Sequence, residues 1–315
     1  MTVLSYFIPG FLIILALASI WTRALAFTST RSVPKRGASL SVGGGQMHFV
    51  DKGTAKKGTL VLIHGIAGQL QHFTYSMLDL LKDDYRVIAV DRPGCGYSTV
   101  TKGDGASLGD QARMIDELLA QLGVEKAVVV GHSLGGAVAL RMGLDCPDRV
   151  AGLALLCPLT HAPGIVPNAL KGLQVTTPWL RHLLGNTIAV PMGKITANKV
   201  LAEAYAPEAC PDDFMIRAGA VLGLRPKAFV AACSDMTAVR LEMPAQSARY
   251  AGELMVPGGI LYGADDVLLS PEEHGASMGT YNLAMKTLPG RGHMIPITAP
   301  QDCADFVRVV ADQVL

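Results

Sequence analysis

"VVVGHSLGGAVAL", residues 128–140, sets Ser133 among Gly131, Gly135 and Gly136 where a β-branched apolar run gives way to helix formers. An ordinary strand-to-helix loop needs one glycine at most. Three of them around a serine predict a turn so sharp that its neighbours have no room for a Cβ. Such a turn lifts the Ser133 hydroxyl above the end of a strand. The helix starting at Leu134 then aims its free N–H groups at any negative charge that develops there. The stretch matches G-x-S-x-G in the strand–turn–helix setting this motif requires. The alternative, a glycine-rich turn with a bystander serine, has to be excluded by the rest of the chain.

Outward from this point, strands and helices alternate. "SLSVGGGQMHFVDKG" predicts a hairpin around Gly43-Gly44-Gly45. "TLVLIHG" (59–65), "YRVIAVD" (85–91), "KAVVVG" (126–131) and "VAGLALLCP" (150–158) predict strands, with an amphipathic stretch up to Lys82 after the first. Ser107 and Asp110 make a capping box for a helix running to Leu122. Strands apolar on both faces, alternating with helices, predict a mainly parallel sheet covered on both sides. From His161 to Gly252 the pattern changes to short helical stretches with Pro, Gly and Met. That segment predicts a lid inserted between two strands. The alternation resumes with "GGILYGADD" (258–266) and "YNLAMKTLPG" (281–290), and ends in a helix over 300–314.

A serine becomes a nucleophile only beside a base. His293, in the loop "PGRGHMIP", falls at the same carboxyl-end face of the sheet as Ser133, and its flanking glycines would let the imidazole swing into reach. His132 reads as packing, His64 as a residue ordering its own loop, and His161 as a candidate for the pocket mouth. The base needs an orienting carboxylate. "LYGADDVLL" offers Asp266, with Asp265 as the alternative because neighbouring side chains at a strand end point apart; Asp235, in the lid, is a distant third choice. Asp91 ends a strand before a tight loop and reads as that loop's organiser. The backbone N–H groups of Leu134 and Ile66, the latter in "HGIAG", supply two donors for an oxyanion.

With half of its residues hydrophobic and only 17% charged, the 315-residue chain can build a sizeable core, and its net charge of +1 with no basic run argues against nucleic acid. The six cysteines are scattered without C-x-x-C or zinc spacing, so neither a metal nor a cofactor is implied. Val3 to Trp21 carries no charge and is about long enough to cross a bilayer. Ala24-Leu25-Ala26 resembles a signal cleavage site, which would release a secreted or periplasmic product. However, no Lys or Arg precedes the apolar run, and Arg23 separates it from the alanines, which favours an uncleaved single-pass anchor through residues 3–22. Arg23, Arg31, Lys35 and Arg36 follow the run and would hold the body on the cytoplasmic side.

Ser133, Asp266 and His293 occur in the chain order of the α/β-hydrolase superfamily, and "HGIAG", "DRPGCGYS", "GHSLGG", "YGADD" and "GRGHM" resemble its successive landmarks over residues 45–315. The resemblance implies a mostly parallel eight-stranded sheet with helices on both faces and a helical lid after the sixth strand. It also implies Ser133, Asp266 and His293 as a catalytic triad. Haloalkane dehalogenases and epoxide hydrolases of similar pattern carry aspartate where Ser133 stands, which argues against both activities. The expected organisation is an anchor and linker over 1–36, a core over 37–160 and 253–315, and a lid over 161–252. The membrane segment, the apolar lid and "GHSLGG" are similar to membrane-anchored monoacylglycerol lipases. The core alone is also similar to C–C hydrolases of ring-fission products, which usually carry polar residues near the oxyanion loop; "HGIAG" has none. The expected function is therefore hydrolysis of a small or lipid-like carboxylic ester, with Met192, Met215, Phe214, Leu222, Leu224 and Trp179 suited either to an acyl chain or simply to packing. The alternatives are C–C bond hydrolysis and a non-catalytic ligand-binding role.

Overall fold

The computed structural model describes residues 4–101 and 105–315. Helix α1 (Leu4–Ser32) precedes a hairpin of β1 (Ala38–Val42) and β2 (Gly45–Lys52). Then come β3 (Thr59–Ile63), the short helices α2 (Gln71–Thr74) and α3 (Met77–Leu81), β4 (Arg86–Val90), and the two-residue β5 (Thr99–Val100). Helix α4 (Leu108–Gln121), β6 (Ala127–His132), α5 (Leu134–Asp145) and β7 (Val150–Leu156) complete the first half.

An insertion follows, holding α6 (Pro178–Gly185), α7 (Ala189–Tyr205), α8 (Phe214–Arg217), α9 (Pro226–Ala248) and α10 (Tyr250–Glu253), with 3-10 turns at Asn168–Leu173 and Ala220–Gly223. The sheet resumes with β8 (Gly258–Gly263), α11 (Pro271–His274), β9 (Leu283–Leu288), α12 (Ile295–Thr298) and α13 (Pro300–Val314).

The strands join in one sheet in the order β1-β2-β4-β3-β6-β7-β8-β9, with β5 paired to β2. The first pairings are antiparallel, and from β4 through β3, β6, β7 and β8 to β9 all are parallel. The sheet thus has nine strands rather than eight. The extra one is β5, too short to show as an apolar run, and without it the insertion follows the sixth strand. Every residue of β3 and β6 is buried, because α4 and α5 pack together on one face while α3 and α13 pack together on the other. Burying both faces of such strands is what requires continuous Val/Ile/Leu runs instead of alternation. The expected capping box also forms: the Ser107 hydroxyl accepts from the Asp110 amide at 3.0 Å.

The amphipathic stretch before Lys82 forms two short helices, broken near Tyr75–Ser76. One local reading is corrected. Residues 28–32, expected in a linker, continue α1: the hydroxyls of Thr28, Thr30 and Ser32 bond to carbonyls three or four residues back on the same helix. Polar residues that satisfy themselves locally do not have to end a helix. Val3, where the expected membrane segment begins, lies outside the described residues.

Pro9–Ser32 of α1 is long and apolar enough to cross a membrane, a test that a signal sequence also passes. The second half of α1 docks on the body: Thr22 and Ser29 are buried, as is Val33 just beyond the helix, and the Thr22 hydroxyl donates to the Thr187 carbonyl at 2.6 Å.

Candidate active site

Because β3, β6, β7, β8 and β9 run parallel, the loops after them gather at one edge of the sheet, where open α/β sheets place their ligands. Ser133 follows β6 with φ +55° and ψ −123°, a strained conformation for a residue with a side chain. The glycines that make this possible have steric reasons. A Cβ on Gly135 would stand 2.1 Å from the Ile63 carbonyl oxygen, and one on Gly131 would stand 2.5 Å from that of Gly135. The Ser133 backbone is held from both sides: its amide donates to Leu156, and its carbonyl accepts from Gly136 and Leu159.

His293 and Ser133 line the same cavity of about 750 Å³. The Nδ1 of His293 lies 2.7 Å from Asp266 Oδ2. Since a carboxylate oxygen only accepts, Nδ1 carries the proton and Nε2 presents its lone pair. Among the described residues Nε2 has no hydrogen-bond partner. Asp266 is fixed in turn, its Oδ1 accepting from the amides of Leu268 and Leu269 at 2.9 and 3.0 Å. Asp265 is exposed, so Asp266 is the acid brought to His293. The imidazole is not on a swinging loop, as the flanking glycines suggested; His293 is only 5% exposed and its carbonyl is tied down.

That tie is His132, whose Nε2 lies 3.1 Å from the His293 carbonyl oxygen, with the two rings 4.9 Å apart. His132 therefore does not point away from the site; it lines the cavity and holds the neighbouring histidine's backbone. Burial first, and then His293 itself, keep its pKa well below the usual value, so it stays neutral beside any imidazolium. His72 also lines the cavity, and burial lowers its pKa to about 4. His161 is absent from the lining; it bonds to Thr160 and meets Tyr250 edge-on.

The Gly65–Ile66 peptide is oriented by its carbonyl, which accepts from His64 Nδ1 at 2.8 Å and from Arg92 at 3.0 Å. In a trans peptide the N–H points opposite the C=O, so the Ile66 amide faces the other way. Gly65, Ile66 and Leu134 all line the cavity. His64 also accepts from the Arg92 amide at 3.0 Å, which fixes its tautomer; burial and the Arg92 charge depress its pKa.

Arg92 is the residue that sequence reasoning passed over inside "DRPGCGYS". It is fully buried and bonds to the carbonyls of His64 and Gly65, to Gln111, and bidentately to Asp235 at 3.1 and 2.9 Å. Asp235, considered as a distant triad acid, belongs instead to this ion pair between the insertion and the loop after β4, whose Arg92 in turn holds the Gly65 carbonyl. Asp91 organises its loop as expected, accepting from the amides of Leu70 and Tyr97 and from His48.

Met192, Met215, Phe214 and Leu224 line the cavity, whereas Leu222 is packed away from it and Trp179 stands on the surface. Cys157, Asp266 and His293 bring ligand-type atoms within 4.8 Å of one another. They do not suit a metal: burial raises the Cys157 pKa well above the usual value, and both Asp266 oxygens are already engaged. All six cysteines are free thiols, four of them buried.

A model of the alpha/beta hydrolase fold matches residues 58–200. The chain is 33% identical over 154 residues to a 2-hydroxy-6-oxononadienedioate/2-hydroxy-6-oxononatrienedioate hydrolase of Paraburkholderia phymatum, covering 47% of this chain and 53% of that protein. The chain spans about half or less of the length of the curated relatives it matches. A thermophilic esterase from Thermogutta terrifontis superimposes with a TM-score of 0.70 at 24% identity, over 88% of this chain and 99% of that one. A bacterial membrane phospholipase A does so with a TM-score of 0.69 at 20% identity, over 98% and 99%. The family model and these superpositions agree with the parallel sheet and its flanking helices: the chain has the alpha/beta hydrolase fold.

Proposed function

We propose that the chain is a serine hydrolase that cleaves a carboxylic ester with an apolar acyl group, held at a membrane by α1. One observation carries the reading: His293 is bonded to Asp266 through Nδ1 and leaves Nε2 free in the cavity that Ser133 also lines. In this mechanism Ser133 Oγ attacks the ester carbonyl as its proton passes to His293 Nε2. The Ile66 and Leu134 amides take the oxyanion, each worth roughly 3–4 kcal/mol in the transition state. The intermediate collapses as the C–O bond to the alcohol breaks and His293 returns the proton to the departing oxygen. Water then repeats the sequence on the acyl-enzyme, releasing the acid. Asp266 keeps His293 in the required tautomer and stabilises its charged form.

The apolar acyl group is supported by a cavity lined by Leu170, Leu173, Met192, Phe214, Leu224 and Phe229. The Paraburkholderia relative is named for C–C hydrolysis of a dioate, so that reading is carried as the second. It needs cations for the carboxylates: Arg92, which bonds to the oxyanion loop, is sealed and neutralised by Asp235, and the cavity lining supplies Lys199. Aryl esters from acetyl to palmitoyl, with Ser133→Ala as blank, test the proposal. Ser133-dependent turnover supports it; a folded protein inert on every ester but active on a ring-fission dioate replaces it with the second reading.

A further inference from the structure

Residues 161–202 contain Lys171, Arg181, Lys194 and Lys199 and no acidic residue; residues 1–50 contain Arg23, Arg31, Lys35 and Arg36, and again no acid. In a chain with nearly equal numbers of acids and bases, two acid-free cationic segments are a marked segregation. The structure brings them together, since α1 packs on α7 and Thr22 is sealed against Thr187. Among the described residues, the first of them also supplies half of the exposed large hydrophobic side chains outside α1: Ile165, Trp179, Leu183, Ile188, Met192 and Ile195. Within α6, Trp179 and Leu183 stand four apart. Ile188, the N-cap residue of α7, and Met192 and Ile195 within it are spaced four and three apart, one stripe along the helix.

Depth can be read from α1. Its uncharged run ends at Arg23, so in a spanning helix Thr22 lies at the boundary of the hydrocarbon. The hydrogen bond from Thr22 then puts Thr187 at that depth, one residue before the exposed stripe begins. Ile188 and Met192 also line the cavity that holds Ser133, so the stripe forms part of its rim. Building on the membrane attachment proposed above, we infer that the α6–α7 face docks on the anionic bilayer that α1 enters. Trp179, Ile188, Met192 and Ile195 then sit at the hydrocarbon boundary, and Lys194 and Lys199 among the headgroups. Substrate reaches the cavity from the lipid, not from water.

The two tryptophans, Trp21 on α1 and Trp179 on α6, supply the test. Full-length Trp21→Phe and Trp179→Phe variants are reconstituted in phosphatidylcholine–phosphatidylglycerol vesicles whose acyl chains are brominated near the headgroup. The inference expects quenching in both variants, and loss of Trp179 quenching when Leu183→Glu and Ile195→Glu are added to Trp21→Phe. Quenching of Trp21 without Trp179 overturns the docked face but leaves the anchor. Quenching of neither overturns the membrane attachment itself. Trp179 quenching that survives both glutamates overturns the assigned face.

Discussion

His293–Asp266 and His48–Asp91 are the same two residue types at the same 2.7 Å, both buried. They differ at the far side of the ring. His48 Nε2 lies 2.6 Å from the Arg36 carbonyl, so both of its nitrogens are engaged and the pair ties the chain after α1 to the loop after β4. His293 Nε2 is left open towards a cavity lined by a strained serine. In the function proposed above, a histidine–carboxylate pair is a brace when its second nitrogen is closed off and a base when it is open. The surroundings of Nε2, more than the distance at Nδ1, separate the two.

Substitutions at matched positions should break or sharpen this contrast. The largest effect is expected for Ser133→Ala and His293→Ala, each lowering ester kcat about 10⁴-fold or more with little change in Tm. His48→Ala should instead lower Tm while each folded molecule keeps its turnover, as measured by kcat per native protein. Next, Asp266→Asn should cost about 10³–10⁴-fold in kcat, and Asp265→Asn, an exposed change, less than about threefold. The matching Asp91→Asn should appear in urea unfolding as a loss of about 2–4 kcal/mol, because Asp91 accepts from two amides and His48.

A smaller effect is expected at Asp235→Asn. Unbalancing buried Arg92 should destabilise the protein by about 3 kcal/mol and weaken binding of a boronic-acid transition-state analogue more than it raises KM, since Arg92 holds the Gly65 carbonyl.

The same contrast between buried histidines predicts a pH dependence, which leaves every residue in place. Burial lowers His72 and His274 from 6.5 to about 4. The unfolded chain therefore takes up protons that the native state refuses. Stability should be full above about pH 6.5 and fall towards pH 4, by up to about 3 kcal/mol per histidine. Urea unfolding at pH 7 and pH 5 checks the sign, and His72→Gln should flatten the slope.

The parts of this molecule that could be read in advance are those with local causes. Continuous apolar runs gave away the buried strands, and the glycines around Ser133 reflect contacts with segments that the turn itself brings near. Choosing between Asp265 and Asp266 depended on which way two neighbouring side chains turn at a strand end, which no spacing encodes. The Arg92–Asp235 pair joins positions 143 residues apart, and the role of His132 depends on a carbonyl 161 residues away. The hydroxyl-rich end of α1 was hidden because serine and threonine also favour loops, and only the folded helix shows their bonds returning to its own carbonyls.

The central claim is that Ser133 is a nucleophile activated by His293 and Asp266. Labelling with a fluorophosphonate, followed by intact-mass and peptide mass spectrometry, tests it most directly. The account expects a single adduct on Ser133, none in Ser133→Ala, and much slower labelling in Asp266→Asn but not in Asp91→Asn protein that remains folded. A single adduct on another residue, or equal labelling of the Ser133→Ala variant, would contradict it.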